Sequence, residues 1–436
     1  MAKKLFSIFL LIALIAMLIP VVAAQDEMME CPEGDAKVTV AAGSVGAELD
    51  QARGTADAYM EMCPNVTVEV IEMPDSSTER LALYLQTWEA QSGDIDVFQV
   101  DVIWPAIIAP HVVDFNEYLT EDEIGQYFAD MITGQTVDGK LVAIPWFSDA
   151  AGLYARTDLL EEYGIEIPTT WDELTVAAEA VQEAHRAVTG NDDFYGYVWQ
   201  GNDYEGLTCD AHEWLVSETG DSFIRADGTV NVTDPAWIAA LERAAGWVGT
   251  ISPEGVTTYK EEDARNVFQA GNAAFMRNWP YAYNLGNGED SAVVDMFEWV
   301  PLPAGENRVG ACLGGWQIAV SKYSNNVDAA VAYAKFMTSA DQMKERALSA
   351  QGNPPTMPAI YEDPDLMDDP LMSRLGPILG TAYPRPSVAT GARYNEASAL
   401  FSSAVHSVLT GDATATDAMA ELEVQLEDLM AEIMGS

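Results

Sequence analysis

Apolar and polar residues first come in short strand-like bursts separated by helical spacings, and then in longer helical runs. Residues 37–42 and the stretches VTVEVIEM (66–73) and IDVFQVD (95–101) are short and rich in β-branched side chains, which predicts strands. Residues 48–62 and 77–91 carry the helical period between them. Strand, helix, strand, helix, strand is the rhythm of a parallel sheet covered by helices, so the first third predicts an α/β fold.

Further along, the helices lengthen. TTWDELTVAAEAVQEAHRAV (169–188) opens with Thr170 and Glu173 spaced as a capping box and repeats apolar residues at Leu174, Ala177, Ala178 and Val181. TDPAWIAALERAAGWV (233–248) has Asp234 as cap and Pro235 at the first helical position. Strands are expected again at AAFMRNW (273–279), MFEWVPLP (296–303) and GWQIAVS (315–321). The last quarter reads as helices around a Pro-rich interruption, GNPPTMPAIYEDPDLMDDP (352–370). The final helix places Met419, Leu422, Leu426, Leu429, Met430 and Ile433 on one face, a core stripe. No repeat and no low-complexity linker divides the 436 residues, which suits two lobes that exchange strands.

Residues 1–24, MAKKLFSIFLLIALIAMLIPVVAA, pair Lys3 and Lys4 with an apolar run, Pro20 and a small-residue ending, which predicts an export signal cleaved after Ala24. An uncleaved anchor is the alternative. The formal charge is −48, and −50 once Lys3 and Lys4 leave with that segment. Such a polyanion repels nucleic acid and anionic lipid, and its acidity reads as a hydrated surface rather than a site. Four cysteines in an exported chain permit two disulfides, paired in three ways. Cys31 precedes the first strand and Cys63 ends the helix that returns beside it, so these two are expected to pair, leaving Cys209 with Cys312.

Signs of catalysis are absent. His111, His185, His212 and His406 are scattered, and no nucleophile elbow, phosphate loop or dinucleotide fingerprint occurs. No cofactor or metal is expected: DPDLMDDP (363–370) lacks the glycine turn and closing Glu of a calcium loop and reads as a solvated turn. Glycoside hydrolysis is the one enzymatic class that needs only carboxylates and aromatic walls, and is retained as the alternative.

Sugars present C–H patches that stack on rings and hydroxyls that seek charged partners. Loops at strand ends mix both residue types here: Asp101 in FQVDVIW, Phe147 and Asp149 in PWFSDA, Trp279 and Tyr281 in RNWPYAY, Trp316 in LGGWQ, and Arg385 in YPRPS. Within GNAAFMRNWPYAY (271–283), Phe275 alternates toward the core, whereas Trp279 and Tyr281 fall past the strand end, where ligands sit in open α/β sheets.

In their order, DVFQVDVIW, GKLVAIPWFSDAAGLYARTDLLEEYG, PTTWDEL, YGYVWQGNDYEGLTCDA, GNAAFMRNWPYAY, LGGWQIAVSKYS and YPRPS make the chain resemble the extracytoplasmic solute-binding proteins of ATP-binding-cassette importers, in the trehalose and maltose group. The resemblance covers about 37–432. It implies a two-lobed periplasmic-binding-protein fold of type II closing on a sugar. Residues 25–144 and 305–365 would form the N-terminal lobe, and 145–304 and 366–436 the C-terminal lobe. AIPWFSD, EWVPLP and 354–368 would be the crossing segments. Carried over by position, Glu48, Asp101, Asp149 and Arg385 would grip hydroxyls, Trp279, Tyr281 and Trp316 would stack, Gly315 would let backbone approach the ligand, and Arg80 would join the ligand-binding set. Phe147 stands where the group often carries Tyr, which removes a hydroxyl and bears on which disaccharide fits. The implied partners are a trehalose-, maltose- or sucrose-like sugar and the membrane permease subunits of an importer, with a sensor as the weaker alternative. The implied protein is a monomeric carrier, not an enzyme, located in the periplasm or at the cell surface.

Overall fold

The computed structural model describes residues 31–435. The export signal expected over 1–24, and its anchor alternative, lie outside them. Among the described residues no helix is long and apolar enough to cross a membrane.

Among the described residues twelve strands form the sheet framework: β1 (Ala36–Ala42), β2 (Val66–Glu72), β3 (Val97–Asp101), β4 (Thr136–Val137), β5 (Lys140–Leu141), β6 (Ile144–Ala150), β7 (Gly152–Ala155), β8 (Tyr195–Val198), β9 (Ala273–Asn278), β10 (Glu298–Val300), β11 (Ala311–Val320) and β12 (Ala382–Tyr383). The first large sheet runs β12-β11-β3-β1-β2, with β6 also on β11. The second runs β10-β7-β9-β8, and β4 and β5 pair apart. β1 lies parallel to β2 and β3, as the opening rhythm predicts, whereas β11 is antiparallel to β3 and β6. The chain passes from the first sheet to the second between Ala150 and Gly152, within one residue of the expected AIPWFSD crossing. After β10, in EWVPLP, it returns to the first sheet at β11. The 354–368 stretch lies against β6, where Ser148 N donates to Pro354 O at 3.1 Å and Thr356 Oγ1 to Pro145 O at 3.1 Å.

Local chemistry accounts for the element ends. Thr170 and Glu173 form the capping box of helix Trp171–Thr189, which stops at left-handed Gly190. Asp234 accepts from Ala236 N at the start of helix Pro235–Trp247. The last helix, Ala415–Gly435, buries Met419, Leu422, Leu426, Leu429 and Met430 while Ile433 is half-buried, and each full burial contributes roughly 2 kcal/mol relative to exposure. It packs with helix Tyr394–Leu409 against helices Glu205–Thr219 and Pro235–Trp247. DPDLMDDP is not simply a turn: Asp363 caps a short helix, Pro364–Met367, and Lys344 bridges Asp363 and Asp365. That cation turns the run of carboxylates into a local ion pair.

Cys31 and Cys63 are bonded, with Cα atoms 5.5 Å apart, because the helix Glu48–Met62 returns to the sheet edge where β1 began. The expected Cys209–Cys312 bond is corrected: both are buried free thiols. Burial, with a hydrogen bond donated to Cys312, pushes the Cys209 thiol well up. The Cys312 Sγ points to Leu313 O at 3.8 Å.

Candidate ligand-binding cleft

Residues of both large sheets and of the segments between them line one cleft, whose empty space with its open mouth included is about 620 Å³. Nine of the ten expected ligand residues line it: Glu48, Asp101, Phe147, Asp149, Trp279, Tyr281, Gly315, Trp316 and Arg385. Arg80 does not. It is fully buried behind Trp316, its guanidinium carbon 4.2 Å from the ring centroid, and it donates to Pro74 O at 2.9 and 3.1 Å. Of the ten, Arg80 thus stands behind the cleft wall, against Trp316.

The first sheet supplies much of the acidic chemistry. Asp101 closes β3, and β11 runs alongside so that Trp316 stands opposite both Asp101 and Phe147. Gly315 precedes Trp316 with φ +127°, and a Cβ there would stand 2.5 Å from Phe147 O. Only glycine lets the two strands approach this closely while carrying that backbone angle. Glu48 opens the first helix, accepts from Gln99 Nε2 at 3.2 Å and lies 3.9 Å from Arg80. Burial raises its pKa although Arg80 opposes the shift.

Asp149, next to last in β6, has 8% of its surface exposed, and its Oδ1 has no hydrogen-bond partner among the described residues. Burial, reinforced by the charges of Glu48 and Asp101, pushes its carboxyl up to about 8. Asp101, also buried, is raised to about 6 against the pull of Arg385. Buried polar atoms are ordinarily paired, so an orphaned carboxylate oxygen in a cleft is a candidate acceptor for a ligand's hydroxyl.

The second sheet contributes Trp279 and Tyr281, just past the end of β9, while Phe275 is fully buried within the strand. Arg277 stacks on Trp279 at 4.3 Å, and Tyr281 donates to Glu262 Oε1 at 2.7 Å. From the C-terminal stretch Arg385 reaches Glu205 at 2.6 Å, Asp101 at 3.4 Å and Leu313 O at 3.2 Å, leaving its Nε without a partner among the described residues. Its planar fork thus joins two strands of the first sheet to the start of helix Glu205–Thr219.

Sequence reasoning missed Asp75, Ser77, Glu205, Glu261, Gln351 and Asn353 on the cleft wall. Glu205 lies within YGYVWQGNDYEGLTCDA and starts helix Glu205–Thr219, where Tyr394 and Ser398 also donate to it at 2.6 Å. The nearest signal was its neighbourhood of rings and carboxylates, and nothing in a single sequence distinguished it from the other acidic residues. Among the described residues, no group of three or more His, Cys, Asp or Glu could hold a metal ion.

Residues 44–344 match the model of the family described as bacterial extracellular solute-binding protein. The chain belongs to that family. A probable ABC transporter-binding protein of Deinococcus radiodurans is 43% identical over 392 residues, 89% of this chain and 92% of the relative. The maltose-bound structure of T. maritima MalE3 superposes with a TM-score of 0.84 at 40% identity, covering 90% of this chain and 100% of that one. A maltotriose-binding protein of Pyrococcus abyssi is 25% identical over 371 residues, 82% of this chain and 74% of that one. This solute-binding protein therefore has the two-lobed α/β architecture of its relatives. It is a binding protein and not an enzyme, and the glycoside-hydrolase alternative is set aside.

Proposed function

We propose that this solute-binding protein is the substrate-binding component of an ABC sugar importer and takes a small α-glucoside such as maltose, trehalose or sucrose. The carrying observation is the cleft itself: unpartnered Asp149, paired Asp101, Glu48 and Arg385, and two tryptophans share one wall system. Carboxylates accept from sugar hydroxyls, Arg385 donates, and indole faces cover C–H patches. The maltose held by the T. maritima relative and the maltotriose of the P. abyssi protein's name support the class of ligand.

In this reading the segments 25–144 with 305–365 and 145–304 with 366–436 act as lobes that close on the sugar. Glu205 N donates to Thr78 Oγ1 at 3.2 Å, and Lys260 reaches Asp75 at 3.2 Å, contacts suited to holding such a closure. The ligand must bind the closed form better than the open one, since only that difference shifts the equilibrium. The protein is exported, its first 24 residues serving as the signal, and presents the closed form to permease subunits as a monomer.

A thermal-shift screen against maltose, trehalose, sucrose and unrelated polyols tests the reading. A native-state ligand must raise the melting temperature. A rise with one α-glucoside is the expected result, and no rise with any of them contradicts it.

A further inference from the structure

Both tryptophans of the cleft have a buried guanidinium stacked on them. Arg80 lies 4.2 Å from the Trp316 centroid and Arg277 lies 4.3 Å from that of Trp279. Both arginines are 0% exposed, whereas both indoles are only partly buried and line the cleft.

Each arginine is itself fixed. Arg80 donates to Pro74 O and faces Glu48. Arg277 grips the Glu213 carboxylate with Nε at 3.0 Å and Nη2 at 2.5 Å, and donates to Gln200 Oε1 at 2.8 Å. Glu213 also accepts from Cys312 N at 3.1 Å, in the strand that carries Trp316. One carboxylate thus anchors the guanidinium under Trp279 and the strand that carries Trp316. Gly314 keeps the approach to Trp279 open, since a Cβ there would stand 2.9 Å from the ring.

We propose that Arg80 and Arg277 are positioning residues that lock Trp316 and Trp279 in the orientation a ligand stacks on, each covering one indole face and leaving the other to the cleft. A guanidinium over an indole is attracted by the ring's quadrupole, and its planar shape restricts tilting in a way an ammonium cannot. A ring locked before binding loses little freedom when the ligand arrives, whereas a loose one is ordered at the expense of affinity. Only the affinity consequence rests on the carbohydrate reading of the cleft; the locking itself does not.

The test replaces each guanidinium by a buried ammonium. Arg80→Lys and Arg277→Lys are prepared alone and with Trp316→Ala and Trp279→Ala respectively, with folding checked by far-UV circular dichroism. Maltose affinity is measured by calorimetry, and the mobility of each ring by fluorine NMR of 5-fluorotryptophan-labelled, unliganded protein. Each Lys variant is expected to weaken maltose about three- to tenfold, the scale of ordering one side chain on binding, and to have little effect where the partnered tryptophan is already Ala. The partnered indole resonance should shift and change width without ligand. An equal loss of affinity in both backgrounds, or an unchanged resonance, overturns the proposal. Should Arg277→Lys not fold, Arg80→Lys decides. Should the wild type bind neither maltose nor trehalose nor sucrose, the sugar reading fails, and the indole resonances alone decide the locking.

Discussion

Asp101 and Arg385, 284 residues apart in the chain, meet at 3.4 Å in the lining of the cleft. The same guanidinium holds Glu205 at 2.6 Å, so one cation offsets two buried carboxylates. Removing one partner of a buried ion pair leaves an uncompensated charge, at a cost of about 3 kcal/mol or more. Arg385→Met is expected to lose about that much stability in urea unfolding and to lose ligand affinity. Unchanged unfolding would show that the two acids are compensated elsewhere.

Asp149 makes stability depend on pH. Its folded-state pKa is raised to about 8, whereas an unfolded Asp titrates near 4. Between those values the folded chain binds a proton that the unfolded chain does not, so the unliganded protein loses stability from this group as pH rises from about 4 to about 8. Asp149→Asn removes the titration. Its melting temperature relative to wild type should climb between pH 5 and pH 8, and a constant offset would contradict the shift. Sugar hydroxyls donating to Asp149 favour its ionised form, so wild-type affinity should rise over the same interval with release of protons.

The Cys31–Cys63 bond closes a separation of 32 residues. Loop-closure entropy assigns such a link about 4 kcal/mol. Neither cysteine lines the cleft. Cys31→Ser is therefore expected to destabilise the fold by up to that amount and to leave sugar affinity unchanged. Thiol titration of denatured wild type should find Cys209 and Cys312 free.

Much of this arrangement was legible because it obeys local rules. The β1-to-β3 rhythm, the capping box at Thr170 and the Asp234 cap all follow from period and end chemistry. Helix Glu205–Thr219 was not legible by pattern: it is buried on nearly every face, and Asp210, His212 and Glu213 interrupt any apolar stripe. Its polar residues are sheltered by tertiary partners such as Arg277 and Ser222, which no short window of sequence contains. The short strands β8 and β12 likewise depend on pairing with distant neighbours. Of the cleft lining, Trp279 and Tyr281 could be placed past the end of β9 from sequence, while Arg80 could not be placed, because only packing shows it stacked on Trp316 and off the lining.

Gly315 couples the strand pairing to the site. With φ at +127° and Phe147 O only 2.5 Å from an added Cβ, Gly315→Ala must displace β11 from β6. Trp316 would move with it. Calorimetry should register a loss of affinity larger than that of an Ala substitution at Gly54, around which a Cβ meets nothing within 4 Å. Equal, negligible effects at both positions would show that the strand can relax without disturbing the indole.

Calorimetric titration of maltose into the wild type and Asp149→Ala, side by side at pH 8, bears most directly on the proposed role of the cleft. Saturable one-to-one binding is expected for the wild type. Losing a charged hydrogen-bond partner costs about 1.5 to 3 kcal/mol, so the variant should bind roughly ten- to a hundredfold more weakly. Equal affinity in the two proteins would contradict the assignment of Asp149 and, with it, of this cleft as the place where the sugar is held.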